Sequence, residues 1–274
     1  MDAGISHLDE SPLAGSCHHA DTAAAARRWG HAIRSWNVPW TTGIYPLEMA
    51  FFLGACEAHG IDAIVESGRG EHAYSTQILG RFSDQTGIPV CSIDTISPDA
   101  KPFAAALREY RDLLLITGDA FAVLPSACGN MHRIALLIDG PKTFLANNLS
   151  YAATRLAHVR LIAHHNCHLS TPWGQQFAQL FPHAGHYEDF LSWPDLKAWE
   201  MRHVSGYQQL GTEDPVGRNL AQSSLAIGLP GTRQAPWVFR GPLKRHPYWL
   251  LLRWKWLHSA EKVPANSPAV ARAA

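Results

Sequence analysis

Five stretches of this sequence carry side chains able to do chemistry. Glu66-Ser67-Gly68-Arg69-Gly70-Glu71-His72-Ala73 sets an acid before a glycine turn, and Asp94 closes an apolar run. Gly118-Asp119-Ala120 closes another, and Asp139-Gly140-Pro141-Lys142 is followed further along by His164-His165-Asn166. Glycines let a backbone approach a ligand closely, and a helix that follows such a turn offers free N–H groups. Carboxylates accept hydrogen bonds from hydroxyl and amino groups. Histidine both ligates metals and moves protons, and the chain has 16 of them. The spacing Gly68-x-Gly70-x-x-Ala73 also matches the dinucleotide fingerprint, with Asp94 placed to hold a ribose. Two nucleotide classes therefore compete for this turn, beside the plainer reading of a tight turn whose glycines serve geometry only.

The elements that position these residues are regular. Ile61 to Val65, Pro89 to Ile93, Leu113 to Thr117, Arg133 to Ile138 and Val159 to Ala163 are apolar runs of strand length. Helical patterns follow them at Tyr74 to Phe82, Pro98 to Tyr110, a short stretch after Ala120, Thr143 to Ala157 and Trp173 to Phe181. Strand-helix alternation of this kind predicts an α/β fold, a Rossmann-like doubly wound sheet that is mostly parallel and covered on both faces. Ligands in such sheets lie at the carboxyl ends of the strands, where the polar residues stand. Ser224 to Gly228 predicts an antiparallel edge strand. The chain divides into an N-terminal extension (residues 1–40), the Rossmann-like domain (41–235) and a basic, aromatic tail (236–274). The extension is expected to be a loose lead-in with a short helix over Thr22 to Trp29 and no core.

Composition removes some functions. With 274 residues, 23 Lys+Arg and 23 Asp+Glu, the chain has no net field to gather nucleic acid. Five cysteines without CxxC spacing argue against a disulfide framework or structural zinc and fit a reducing cytoplasm. No run reaches the roughly 18–20 apolar residues of a membrane span. Residues 240–258 combine Lys244, Arg245, Arg253 and Lys255 with Trp249, Trp254 and Trp256. Such a segment suits a peripheral membrane contact at the inner face of a membrane, or packing on the domain or on a second subunit of a homodimer.

The acids and glycines at the strand ends resemble the class I S-adenosylmethionine-dependent methyltransferases. Glu66 and Gly68 match the first motif, Asp94 the ribose acid of the second strand, and Gly118-Asp119-Ala120 through Leu124-Pro125 the adenine-side pattern of the third. Asp139-x-x-Lys142 followed by His165-Asn166 is similar to the cation-dependent O-methyltransferases of the catechol and caffeoyl-CoA type. Thr41-Thr42 through Glu48 falls where that family has a Ser/Thr loop and a helix. The resemblance covers about residues 41–170. It implies S-adenosyl-L-methionine held by Thr42, Glu66, Gly68, Gly70, Ser75, Asp94 and Asp119. It also implies a divalent cation held by Asp139, His165 and Asn166, and Lys142 as general base. The sequence departs from the family twice: the first loop is one residue longer, with His72-Ala73 in place of the second glycine, and His165 replaces an Asp. Imidazole in that place suits Mn, Fe or Zn better than Mg, or a site without metal in which His165 is the base.

The activity implied is O-methyl transfer to a hydroxyl of a small molecule or glycan-type metabolite, with Lys142 or His165 catalytic. The competing expectations are an NAD(P)-dependent oxidoreductase using Gly68, Gly70 and Ala73, and a membrane-associated binding module whose cofactor pocket has decayed.

Overall fold

The computed structural model describes residues 14–40, 43–101, 103–129, 131–182, 184–186, 193–204 and 225–230. The five apolar runs form five parallel strands: β1 (Ala63–Ser67), β2 (Val90–Asp94), β3 (Leu113–Thr117), β4 (Ile134–Ile138) and β5 (Val159–His165). With β6 (Gly185–His186) and β7 (Leu225–Gly228) they make one sheet in the order β3-β2-β1-β4-β5-β7-β6. The antiparallel strand expected from Ser224 to Gly228 is β7, paired with β5 on one side and β6 on the other. β6 has no counterpart in the sequence reading, because two residues are too short for a periodic signal.

Both faces are buried, and successive side chains alternate between them. Ile64, Ala135, Leu137, Leu161 and Ala163 face one core; Val65, Ile134, Leu136, Ile138 and Ile162 face the other. The first core is closed by α1 (Ala14–Trp36), α2 (Pro46–Ala58), α3 (Tyr74–Thr86) and α8 (Pro194–His203). The second is closed by α5 (Ala120–Ala127), α6 (Phe144–Ala153) and α7 (Pro172–Leu180). The helix expected over Pro98 to Tyr110 is instead a 3₁₀ turn (Pro98–Ala100) and a single turn, α4 (Ala104–Leu107). A proline at position 102 cannot donate the hydrogen bond that a continuous helix needs there.

The lead-in is also corrected. α1 is 23 residues long and buries Thr22, Ala25, Ala26, Trp29, Gly30 and Ile33, a stripe at helical spacing. It lies on α2 so closely that a Cβ on Gly54 would come 2.5 Å from the Ala26 nitrogen. Trp29 meets Phe82 edge-on at 4.8 Å and donates its indole N–H to Glu57 at 3.0 Å. Gly54→Ala is therefore expected to push the helices apart and lower unfolding free energy by about 1–3 kcal/mol, read from urea denaturation. A loss below a few tenths would mean that the helix pair slides apart freely.

The strand ends are tied to one another by short backbone hydrogen bonds. The Gly68 N–H donates to the Ile93 carbonyl, Gly118 to Asp94, and Asp139 and Gly140 both to Ser67, all at 2.8 Å. The loops that carry the candidate residues thus form one fixed rim. Among the described residues no helix is long and apolar enough to cross a membrane.

Candidate active site

On the β1–β2 side the rim is built from a glycine turn and two strand-end carboxylates. Gly68 takes φ +95° because its Cα faces backbone: a Cβ there would lie 2.1 Å from the Gly140 nitrogen. Gly70, at φ +71°, faces open space, and its N–H donates to Asp94 Oδ2 at 2.9 Å. Asp94 Oδ1 accepts from the Ile96 N–H at 2.8 Å, so the carboxylate is aimed by two loops and remains half-exposed. Asp119 caps α5 by accepting from the Ala122 N–H at 3.2 Å and is exposed beside it. A carboxylate has about four acceptor directions, so both acids retain capacity for hydroxyl or amino donors.

Glu66 and Ser75 behave differently. Glu66 is fully buried and accepts from the hydroxyls of Ser75, Thr76 (2.6 Å) and Ser92 (2.5 Å). Burial raises its pKa, and the three hydroxyls offset only part of that rise. In this arrangement both residues stitch β1 to α3 and β2 and present nothing to the cleft. Arg69 is buried as well, its guanidinium donating to the Ser92 carbonyl at 3.0 Å, the Ser92 hydroxyl at 3.2 Å and the Ile96 carbonyl at 3.2 Å. It locks the loop onto the end of β2. Ala73, where the second glycine of the motif would stand, adopts φ 50° at the start of α3. Thr42 lies outside the described residues, as do His183 and the tail segment 240–258.

On the β4–β5 side, Asp139, Lys142, His165 and Asn166 converge. Lys142 Nζ contacts Asp139 Oδ1, lies 2.9 Å from Asn166 Oδ1 and 3.5 Å from His165 Nδ1. His165 Nδ1 is itself 2.6 Å from Asp139 Oδ1. Burial works against the charge on Asp139, but Lys142 and His165 hold its pKa well below the carboxylate range. Asp139 is therefore the acceptor and His165 Nδ1 the donor. Backbone geometry keeps these groups in place: Asn166 sits at φ 59°, a region asparagine tolerates, and Thr143, directly after Lys142, at φ 60°. Such a conformation in a β-branched residue costs of order 1–3 kcal/mol and persists only where the surroundings enforce it. The Asn166 carbonyl accepts from the Trp173 indole at 2.6 Å.

The two adjacent histidines point to opposite faces of the sheet, as the alternation of β5 requires. His164 packs against Phe177 in the second core, and burial drives its pKa down to about 3, so it is neutral filling. His165 points to the first core and meets a residue the sequence did not single out. Glu48, on the first turn of α2 and fully buried, places Oε2 3.4 Å from His165 Nε2 while accepting from the Tyr45 N–H at 2.8 Å. An acid three residues after a helix start was the available signal, but its partner on β5 is remote in the chain. Cys167 is fully buried and has no access to the cleft.

His165 lies between two carboxylates. Burial opposes its charge, yet Asp139 and then Glu48 raise its pKa. A raised folded pKa stabilises the fold fully below the unfolded value of about 6.5 and loses that stabilisation as pH rises through the folded value. For Asp139, depressed in the fold, the contribution is present above about pH 3.9 and is lost as pH falls. The stability margin of wild type over His165→Asn is thus expected to be greatest near pH 5–6 and to shrink above pH 6.5. Urea titrations across that range check it, and a margin that grows with pH would be the opposite of the expected sign.

The candidate ligand set does not fit a divalent ion as it stands. Asp139 Oδ1 already accepts from His165 and Lys142, the Lys142 ammonium lies among the three candidate ligands, and both imidazole nitrogens face carboxylates. Among the described residues no three His, Cys, Asp or Glu side chains are grouped to hold a metal.

No family model matches the sequence, and no curated protein matches it. Solved structures similar to the chain include a methyltransferase of Podospora anserina bound to S-adenosylhomocysteine, at 14% identity over 83% of this chain and 98% of that one, TM-score 0.38. Another is an O-methyltransferase of Bacillus cereus with the same ligand, at 14% identity over 75% and 90%, TM-score 0.40. A third is an O-methyltransferase of Streptomyces achromogenes involved in tomaymycin synthesis, in complex with S-adenosylmethionine, at 14% identity over 75% and 88%, TM-score 0.40.

Proposed function

We propose that this protein is an S-adenosylmethionine-dependent O-methyltransferase acting on a hydroxyl of a small molecule or glycan-type metabolite. The observation that carries the reading is the placement of Lys142, with Asp139, His165 and Asn166, on the same rim as the Gly70–Asp94 cradle. A proton-accepting group and a nucleotide cradle are thereby held side by side. The cradle suits an adenosine bearing a sulfonium better than a pyrophosphate. Its exposed groups are the acids Asp94 and Asp119, while the nearby cation, Arg69, has its guanidinium turned to Ser92 and Ile96. That distribution favours hydroxyl and amino donors and a cationic centre over phosphate, and so disfavours the oxidoreductase alternative.

When bound, S-adenosylmethionine supplies an electrophilic methyl group on a sulfonium. Asp94 orients the ribose hydroxyls and Asp119 the adenine side. Lys142, having released one proton to solvent at its exposed end, would take the proton of the acceptor hydroxyl at Nζ, leaving the oxygen free for the methyl group that the cofactor would supply. The ammonium so formed is received by Asp139 Oδ1 and Asn166 Oδ1, the arrangement present in the structure. General-base assistance of this kind is worth about 10²–10⁴-fold, with positioning supplying much of the remainder. Calorimetry with S-adenosylhomocysteine tests the reading: saturable binding, weakened in Asp94→Ala, is expected. Heat indistinguishable from dilution at millimolar ligand would sink it. A panel of phenols, alcohols and sugars, scored by release of S-adenosylhomocysteine, then narrows the acceptor. Peripheral membrane association through residues 240–258, a homodimer and a cytoplasmic location remain part of this proposal and call for flotation, light-scattering and fractionation experiments.

A further inference from the structure

We infer that the centre at the ends of β4 and β5 works without a divalent metal, the Lys142 ammonium occupying the place between Asp139, His165 and Asn166 that such an ion would need. The inference deepens the methyl-transfer reading and rests on it for the acceptor served, while its geometric basis stands on its own.

Three observations support it. Lys142 Nζ contacts Asp139 Oδ1 and lies 2.9 Å from Asn166 Oδ1, so the two hard oxygen donors of the set are directed at one ammonium. His165 Nδ1 is committed, donating to Asp139 at 2.6 Å, while Nε2, on the far edge of the ring, is buried 3.4 Å from Glu48 Oε2 without a hydrogen-bond partner. Ligation through Nδ1 would break the bond to Asp139, and ligation through Nε2 would place the ion on the Glu48 side, away from Asn166. Glu48 cannot yield easily either, because it is fully buried and its Oε2 also accepts from the Tyr45 N–H that starts α2. Ammonium and divalent ion do the same electrostatic work on an acceptor oxygen, stabilising negative charge as it develops. Two of the three ammonium N–H groups are directed at Asp139 and Asn166. The side chain is 43% exposed, which leaves the third for an acceptor oxygen. Glu48 thus joins the site as a positioning residue that fixes the His165 ring from the side opposite Asp139.

The test is a Mn²⁺ titration of the full-length protein followed by electron paramagnetic resonance, with S-adenosylhomocysteine calorimetry run in parallel. Wild type is expected to take up no Mn²⁺ that depends on this centre, so that its binding curve coincides with that of Asp139→Asn, or of Asn166→Ser if the first variant does not fold. One equivalent of Mn²⁺ bound by wild type and lost in either variant would overturn the inference. Absence of S-adenosylhomocysteine binding would instead overturn the methyl-transfer reading, and the Mn²⁺ curves would still decide the occupancy of the centre.

Discussion

Lys142→Met is expected to slow methyl transfer by about 10²–10⁴-fold while leaving the affinity for S-adenosylhomocysteine within about twofold of wild type. Methionine matches the length of the lysine stem, and the Lys142 side chain is 43% exposed, so the packing is kept while the buried Asp139 loses one of its two partners. On the proposed mechanism it removes the group that accepts the hydroxyl proton and the cation that then faces the acceptor oxygen. Lys142→Arg separates these two roles. Arginine keeps a positive charge between Asp139 and Asn166 but stays protonated at any working pH, so an equal loss in both variants identifies proton acceptance as the larger contribution. Single-turnover release of S-adenosylhomocysteine measures the rate, and calorimetry measures the affinity. A variant that turns over at the wild-type rate would remove Lys142 from the mechanism.

Gly68→Ala is expected to be the most damaging single change on the rim. A left-handed backbone costs a non-glycine residue about 1–2 kcal/mol, and overpacking adds about 1–3 kcal/mol. Here the added Cβ would lie 2.1 Å from the Gly140 nitrogen, against backbone that has no rotamer with which to escape. A loss of about 2–5 kcal/mol in urea denaturation is the expected sum. Activity is expected to fall further than stability alone requires, because Gly140 lies between Asp139 and Lys142. Gly70→Ala is the informative contrast, since a Cβ there meets nothing within 4 Å. Only the backbone penalty should remain, and any additional loss of cofactor affinity then reports the ligand's approach to that turn. Equal losses at the two positions would refute the packing account of Gly68.

The contrast between these glycines marks how far the sequence could be read. Five apolar runs, each closed by a polar residue, were enough to place the strands and the rim, because a parallel sheet buried on both faces demands near-continuous apolar text. The convergence of Asp139, Lys142, His165 and Asn166 was legible because they stand at the ends of two strands that neighbour each other in the sheet. The exposed strand-end positions of Asp94 and Asp119 were legible, but not the inward commitment of Glu66, which depends on hydroxyls at Ser75, Thr76 and Ser92 arriving from two other elements. The full length and burial of α1, beyond the short helix expected over Thr22 to Trp29, did not show because its buried stripe is largely built of Thr22, Ala25, Ala26 and Gly30, small residues whose periodicity carries little hydrophobic signal. Glu48 escaped because a buried acid announces itself only when its partner is known, and His165 is brought to it by the sheet. The same limit hid the opposite orientations of His164 and His165 until the pleat of β5 was fixed.

The carboxylate of Glu48 accepts the Tyr45 amide and faces His165 with the same oxygen. Release of that amide, the first step in fraying the helix from its start, would therefore also release the imidazole. In hydrogen-exchange terms, the Tyr45 amide should open in concert with the end of β5 rather than with the ends of other helices. Catalytic competence and the local unfolding equilibrium of one helical turn would then share a single free energy.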